Sequence, residues 1–337
     1  MGNIYFYLMK KLSLKDILTQ LKDDLIGKDS YRGVSLSYAW LANQLGHFSL
    51  GVILAVLFYQ LTHYKRFDCA AYFSGIIWTC FEAYNFLGPL LLKKDSAKVK
   101  LNTQSQYTFQ PKWLNIFFDT FTDICFFWLG ALCFYQYFDA NFSLKWALIA
   151  VGIYLLVAFC YWYPVKIYLQ QARFPWQCRL SQWPHLMHQQ NVKLVDSFLK
   201  VKGKPTHVIV YGPANVGKTT LAIGMATERA FHWKTCAFVP FAKFLSDIKS
   251  APNQIPGPSF WDWKVADTMI IDDINPSDPA GYEFMKVAQI DAQILDVKDL
   301  LWRKNVIWII GAGDLVAWEN YLKPQTNEYR DLIILAL

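Results

Sequence analysis

Residues 212 to 219 have the composition and spacing of a phosphate-binding loop. They read Gly-Pro-Ala-Asn-Val-Gly-Lys-Thr, which matches the pattern G-x-x-x-x-G-K-[ST] at every fixed position. In such a loop the backbone N–H groups surround phosphate oxygens, and the N-terminus of the following helix adds its positive dipole end. The pattern therefore predicts an ATP-binding site formed by Gly212, Pro213, Ala214, Asn215, Val216, Gly217, Lys218, Thr219 and Thr220.

A pair of carboxylates about fifty residues downstream predicts the metal-binding half of the same site. Asp272 and Asp273 follow a run of apolar, β-branched residues, which is the Walker B form. We expect Thr219 and Asp272 to hold Mg²⁺, and Asp273 to orient or deprotonate an attacking water molecule. With Lys218 at the β- and γ-phosphates, the four residues predict an ATP hydrolase that uses ATP and Mg²⁺.

The elements that must position these residues follow from the hydrophobic pattern. Short apolar runs predict strands at 207–211, 235–239, 267–274, 306–311 and 332–337, and helical patterns lie at 192–199, 219–227, 241–250 and 280–303. Alternation of strands and helices predicts a three-layer α/β domain with a five-stranded parallel sheet. Since the fifth strand is the last predicted element, no C-terminal lid is expected. The ligand is expected at the carboxyl ends of the strands.

The first half of the chain has the composition of a membrane region. Hydrophobic residues make up 54% of the sequence, above the roughly 45–50% of soluble domains, and the excess lies before residue 172. Stretches 39–62, 69–92, 113–137 and 144–168 are each long enough to cross a bilayer. The predicted organisation is an amphipathic N-terminal segment (1–37), four transmembrane helices (38–171), a linker with a lead-in helix (172–205) and the nucleotide domain (206–337).

The distribution of lysine and arginine predicts the orientation. Both the N-terminal segment and the loop between the second and third predicted spans are rich in these residues, and the two other loops are poor in them. The positive-inside rule then places both termini and the nucleotide domain in the cytoplasm, with the spans in the plasma (inner) membrane. The amphipathic stretch 13–26 could lie on the inner membrane face or pack on a neighbouring subunit.

Three acidic residues fall within the predicted spans, where ionised groups are costly: Glu82, Asp119 and Asp123. Asp119 and Asp123 are four residues apart and share one helix face. One interpretation is a cation path or a gate. The other is that the aspartates pair with polar groups such as Asn43, Gln44 or His47 and only fix helix packing.

Two further classes of site receive little support. The seven cysteines form no C-x-x-C pair, so neither a disulfide framework nor a zinc site is indicated. Acidic and basic residues nearly balance after residue 171, so charge alone does not indicate nucleic-acid binding. The local basic feature is the trio Lys200, Lys202 and Lys204.

The nucleotide half resembles a known family. Residues 208–248, with Tyr-Gly-Pro-Ala-Asn-Val-Gly-Lys-Thr-Thr-Leu-Ala-Ile followed by Ala-Phe-Val-Pro-Phe-Ala-Lys-Phe-Leu, and Met-Ile-Ile-Asp-Asp-Ile at 269–274, look like the AAA+ ATPases of the helicase-loader and transposition-helper group. The motifs are also similar to those of viral superfamily 3 helicases. The resemblance covers about 140 residues, less than half of the chain.

The resemblance implies two more site residues and an assembly. The family has a polar sensor after the fourth strand, where Asp314 is the candidate, and an arginine finger before the fifth strand, where Arg330 stands. Such a finger completes a neighbour's site, which implies a homo-oligomeric ring acting on a protein partner that the sequence does not identify. Three functions remain open: a remodelling ATPase at the inner membrane face; a nucleotide-gated channel, transporter or defence effector; and a membrane-tethered nucleic-acid motor.

Overall fold

The computed structural model describes residues 13–25, 36–62, 66–99, 109, 113–139, 141–183, 187–200, 203–250, 263–276, 285–324 and 330–337. Side chains are described in these ranges except at 23–25, 36–38, 88–99, 182 and 250. The chain forms two units. A helical unit comprises residues 14–106 and 111–166, and an α/β unit comprises residues 1–13, 107–110 and 167–337.

The helical unit is built from α1 (Leu14–Leu25), α2 (Leu36–Leu61), α3 (Phe67–Val99), α4 (Trp113–Phe138) and most of α5 (Lys145–Gln171). Helix α3 packs against both α2 and α4. Its Ser74 hydroxyl donates to the carbonyl of Gly51 at 2.8 Å, and the Trp78 indole donates to the carbonyl of Leu50 at 3.2 Å. Helix α1 occupies most of the stretch for which an amphipathic helix was predicted.

Helices α2 and α4 approach each other at two glycines. A Cβ atom on Gly51 would overlap the carbonyl oxygen of Phe127, and a Cβ atom on Gly130 would overlap that of Phe48. Only glycine leaves room for backbones this close, as is common between helices in membranes. Around this contact the outward-facing side chains of α2 to α5 are largely apolar.

Three helices are long and apolar enough to cross a membrane, namely Ala39–Leu61, Trp113–Phe138 and Lys145–Gln171, among the residues that the structure describes. The prediction of four spans is therefore wrong in number. The stretch predicted at 69–92 is helical within α3 but does not reach the required apolarity. Its acidic, amide and amphipathic aromatic side chains, such as Glu82, Asn85 and Tyr84, lower the mean hydropathy that its isoleucines and phenylalanines raise.

The α/β unit has a five-stranded, all-parallel sheet in the order β2-β3-β4-β1-β5. Its strands are β1 (Thr206–Tyr211), β2 (Cys236–Pro240), β3 (Thr268–Ile274), β4 (Asn305–Ile310) and β5 (Asp331–Ala336), and its helices are α6 (Gln189–Lys200), α7 (Lys218–Phe231), α8 (Phe241–Ser250), α9 (Val287–Ile294), α10 (Lys298–Trp302) and α11 (Leu315–Leu322). The predicted five-stranded parallel sheet is confirmed. The predicted helix at 280–303 is two helices, α9 and α10, joined by a 3₁₀ turn, with 281–284 outside the described residues.

The central strands are buried on both faces, as in parallel sheets covered by helices. On β4 every residue is buried, and Trp308 packs with Trp318 of α11. Successive side chains of a strand point to opposite faces, so burial of both sets requires helices on each side. Helix α7 contacts β1, β2, β3 and β4, and it places the loop before it at the carboxyl ends of β1 and β3.

Candidate nucleotide-binding site

The loop from Gly212 to Gly217 connects the end of β1 to the first residue of α7. Gly217 has φ 85° and Asn215 has φ 62°, so the loop twice adopts the left-handed region. A Cβ atom at Gly212 would lie 2.8 Å from the carbonyl oxygen of Leu337, which leaves no room for a side chain. The glycines thus have the conformational role that the motif predicts.

Lys218 begins α7 and turns back over the loop. Its Nζ donates to the carbonyl of Gly212 at 2.8 Å and to that of Pro213 at 2.5 Å. Burial lowers the pKa of Lys218, and the charge of Asp272 opposes this. The ammonium group is therefore held at the mouth of the loop, where a phosphate would gain from its charge.

Thr219 and Asp272 come from different elements and meet at this site. The Thr219 hydroxyl, in the first turn of α7, donates to Asp272 Oδ2 at 2.8 Å. Asp272 lies near the end of β3, and its Oδ1 accepts the backbone N–H of Asp273 at 2.8 Å. A hydroxyl and a carboxylate oxygen side by side are the hard donors that Mg²⁺ takes from a protein when phosphates supply further ligands.

Burial is the main reason that the pKa of Asp272 lies above its usual value. The backbone N–H of Asp273 and the Thr219 hydroxyl oppose this shift by stabilising the charged form. A divalent cation bound here would favour the ionised carboxylate in the same way. The charge of Lys218 and the hydrogen bonds from Thr219 and Asp273 thus offset the effect of burial on this carboxylate only in part.

Asp273 adopts a left-handed backbone conformation, with φ 61°, and its side chain is exposed. For a residue with a side chain this conformation is uncommon, and such strain tends to persist at functional positions. The carboxylate is free to face solvent next to Asp272. This is where the general base or water-orienting group of the prediction is required.

Asn275, which follows β3 directly, lies at the same carboxyl end of the sheet. The sequence did not identify it as a site residue. Its side-chain amide donates to the carbonyl of Met285 at 2.9 Å and accepts the N–H of Met285 at 3.0 Å. Its backbone carbonyl accepts the N–H of Ala312 at 2.8 Å. Asn275 therefore joins the segments that follow β3 and β4, and its φ of 48° is a feature that only the backbone reveals.

Asp314, the candidate sensor, is the N-cap of α11. Its Oδ1 accepts the N–H groups of Val316 at 2.9 Å and Ala317 at 3.2 Å. Two N–H donors already use this carboxylate, which is the ordinary role of aspartate before a helix. The geometry gives no support to a sensor role.

Arg330, the candidate finger, is only 3% exposed. Its guanidinium donates to the carbonyls of Leu322 and Lys323 and lies 4.7 Å from the ring centroid of Trp302. A finger has to extend to a neighbouring subunit, and this side chain is instead packed inside its own domain. The geometry therefore favours a structural role for Arg330.

Of the basic residues proposed for nucleic acid, the structure describes Lys200, which is exposed, and Lys204, which pairs with an aspartate. Lys204 Nζ lies 2.6 Å from Asp331 Oδ1, and Lys202 falls outside the described residues. Lys200 ends α6.

No protein-family model and no curated protein matches this chain.

The described residues contain no group of three or more His, Cys, Asp or Glu side chains arranged to hold a metal ion. A Mg²⁺ site of one hydroxyl and one carboxylate, completed by phosphate and water, does not need such a group.

Proposed function

We propose that this chain is a membrane-anchored P-loop ATPase. Its α/β unit binds Mg²⁺-ATP at the carboxyl ends of β1 and β3. The observation that carries the proposal is the 2.8 Å contact between the Thr219 hydroxyl and the Asp272 carboxylate. These residues lie 53 positions apart in the chain, and the motif requires them to meet.

The roles of the residues follow from their positions. The N–H groups of the 212–219 loop and the N-terminus of α7 bind the phosphates, and Lys218 supplies a positive charge at the β- and γ-phosphates. Thr219 and Asp272 hold Mg²⁺, which neutralises charge on the phosphate oxygens. Asp273 orients the attacking water and receives its proton.

The position of Arg330 bears on how ATP is used. P-loop enzymes without an arginine opposite the γ-phosphate turn over slowly, on the order of 10⁻⁴ per second. Since the Arg330 guanidinium is packed within its own domain, we propose that ATP binding and slow hydrolysis set the conformational or assembly state of the protein. The resemblance to AAA+ ATPases makes a homo-oligomer that remodels a partner at the membrane our preferred form of this function.

We further propose that α3, which packs along both α2 and α4, accompanies the three more apolar helices across the bilayer, so that the N-terminal segment and the nucleotide-binding unit both face the cytoplasm. Support comes from the helical unit, where Trp40 of α2 lies 5.4 Å from Trp162 of α5. The beginning of α2 and the last turns of α5 therefore lie at the same end of the helical unit. Cytoplasmic ATP would then reach the site.

The decisive experiment is nucleotide binding by a Lys218→Ala variant. We expect binding of ATP to weaken by about 10- to 100-fold, because a charge-assisted interaction with phosphate is lost. Binding is measured by calorimetry on the full-length protein in detergent. Lys243→Ala is the matched control, since Lys243 is an exposed lysine on α8. Equal affinities of the two variants would refute the proposed site.

A further inference from the structure

The interior of the helical unit contains a cluster of polar side chains contributed by α2, α3 and α4. Its buried or half-buried members are Gln44, His47, Glu82 and Asp123, and Asp119, whose side chain is exposed, adjoins them. Gln44 is 1% exposed, Glu82 6% and Asp123 8%. Polar groups buried at membrane depth are costly unless they are paired, so their partners determine what the cluster does.

Asp123 is at the centre of this cluster. The Gln44 amide Nε2 donates to Asp123 Oδ1 at 2.8 Å, and His47 Nδ1 lies 2.9 Å from the same oxygen. Asp119 lies one helical turn earlier on α4 and interacts electrostatically with Asp123. From α3, Glu82 faces Asp123 and His47, and it is hydrogen-bonded to Asn85.

Helix α5 contributes the remaining groups that face the cluster. Lys166 interacts with Asp119, and its Nζ lies 4.1 Å from the ring centroid of Trp162. Tyr154 hydrogen-bonds with Thr122 at 2.7 Å and interacts electrostatically with Asp119 and Asp123. Two buried carboxyl groups and the exposed Asp119 thus lie near one ammonium group among the described side chains, which leaves negative charge to be neutralised.

Two buried polar atoms next to Asp123 make no aligned hydrogen bond among the described residues, although one of them lies 2.9 Å from Asp123 Oδ1. They are Gln44 Oε1 and His47 Nδ1. Burial of an unpaired acceptor costs free energy comparable to a lost hydrogen bond, so such an atom indicates a missing donor. The cluster therefore lacks both a positive charge and a hydrogen-bond donor.

We propose that this cluster binds an exchangeable proton, shared by Asp123 and His47. The proton comes from a hydronium ion in the aqueous phase and returns to it, so no other bond is broken. A proton supplies the missing charge and, as a carboxyl O–H, the missing donor. The Gln44 amide can present its N–H to the ionised carboxylate or its Oε1 to the protonated one, so it serves both states.

The choice of a proton over a metal ion follows from the ligand geometry. The described side chains form no group of three His, Cys, Asp or Glu residues arranged around a common point. A proton needs only one pair of atoms at hydrogen-bond distance, which His47 Nδ1 and Asp123 Oδ1 supply.

Infrared spectroscopy of the full-length protein in detergent tests this proposal. Exposed carboxyl groups titrate near about pH 4, so acidification from about pH 8 to about pH 5.5 leaves them ionised. We expect a carbonyl band of a protonated carboxyl group to grow over this range, to shift in D₂O and to disappear in Asp123→Asn. Asp139→Asn is the matched control, because Asp139 follows the same helix and pairs with the backbone of Asn141 outside the cluster.

A second variant keeps the test decisive if Asp123→Asn does not fold. Gln44→Leu removes the amide that contacts Asp123 and should move the midpoint of the band by about one to two pH units. Absence of any band sensitive to Asp123 or Gln44 overturns the proposal. Loss of the band on adding Na⁺ at constant pH also overturns it, in favour of a metal cation.

Discussion

Burial makes the charged form of Asp272 costly in the folded domain. Its pKa is raised, so the ionised form is less stable in the folded protein than in the unfolded chain. The cost of this charge is present above the folded pKa and vanishes as the pH falls below the unfolded value. At neutral pH, in the absence of Mg²⁺ and nucleotide, the carboxylate therefore destabilises the domain.

The cost of the Asp272 charge predicts that Asp272→Asn has opposite effects on the stability of the free and the liganded protein. In EDTA we expect the variant to melt at or above the wild-type temperature, because the buried charge is removed. With Mg²⁺-ATP, the wild type should gain stability while the variant gains little. The measurement is the Tm of the full-length protein in detergent, with Asp299→Asn on α10 as an exposed control. A variant that is stabilised by Mg²⁺-ATP as strongly as the wild type would contradict the assigned metal ligand.

His207 makes the same domain sensitive to acid. Burial, assisted by the charge of Arg330, lowers the pKa of His207 to about 3. Its ring accepts the Trp308 indole N–H at 3.2 Å and lies 3.2 Å from the carbonyl of Leu301, so the neutral form satisfies both partners. The unfolded chain takes up a proton near pH 6.5, whereas the folded protein does so only near pH 3.

The expected result is a loss of stability between pH 6.5 and about 3. One such proton contributes a slope of about 1.4 kcal/mol per pH unit to the free energy of unfolding. His207→Gln should flatten that slope, even though it lowers stability at neutral pH. Denaturant titrations at several pH values measure it, and His188→Gln, an exposed histidine, should leave the slope as in the wild type. Identical slopes for His207→Gln and wild type would show that another group governs acid unfolding.

Asp314 and Arg330 show that residue type and position in the sequence do not determine the role of a side chain. Both stand near positions that the family resemblance assigns to nucleotide contact, yet one caps α11 and the other is buried beside Trp302. The N-cap could have been recognised, because Asp314 precedes the apolar stretch Leu315–Leu322. The burial of Arg330 depends on residues of α10 and α11, so no local pattern reveals it.

At the scale of elements, the contact between α2 and α4 depends on glycine. We expect Gly130→Ala to destabilise the helical unit by more than about 1 kcal/mol, because the new methyl group would overlap the carbonyl oxygen of Phe48. Gly152→Ala in α5 is the matched control, since a Cβ atom there meets nothing within 4 Å. Alanine at 152 should be neutral or stabilising through its helix propensity. Thermal unfolding in detergent separates the two cases, and equal losses at 130 and 152 would exclude the close approach.

The strands were predictable because each is a short, almost continuously apolar run. Their order was not. Insertion of β4 between β1 and β3 brings the residues that follow β4 next to those that follow β3, and it lets the backbone carbonyl of Asn275 accept the N–H of Ala312. Helix α11 was not predicted from the sequence, because its eight residues cover little more than two helical turns.

At the scale of the whole molecule, the proposed orientation gives a test of its own. Residue 141 lies between α4 and α5, at the end of the helical unit opposite to Trp40 and Trp162. With a cytoplasmic nucleotide domain, Asn141→Cys should react with a membrane-impermeant thiol reagent in intact cells. Lys243→Cys on α8 should react only after permeabilisation. The wild-type chain, with its seven cysteines, provides the background signal. Labelling with the reverse pattern would invert the orientation.

The sequence by itself determined the parallel α/β unit and the presence of membrane-type helices, and it predicted the loop at 212–219 and the acidic pair of a nucleotide site. These are local properties, because a loop of fixed length, the hydrophobic period of a strand and a run of about twenty apolar residues are each encoded by neighbours in the chain. The tertiary structure decided the strand order, the roles of Asp314 and Arg330, and the meeting of Gln44, His47 and Asp123. Those features depend on which distant side chains compete for the same buried space and the same hydrogen bonds, and only the folded chain brings those competitors together.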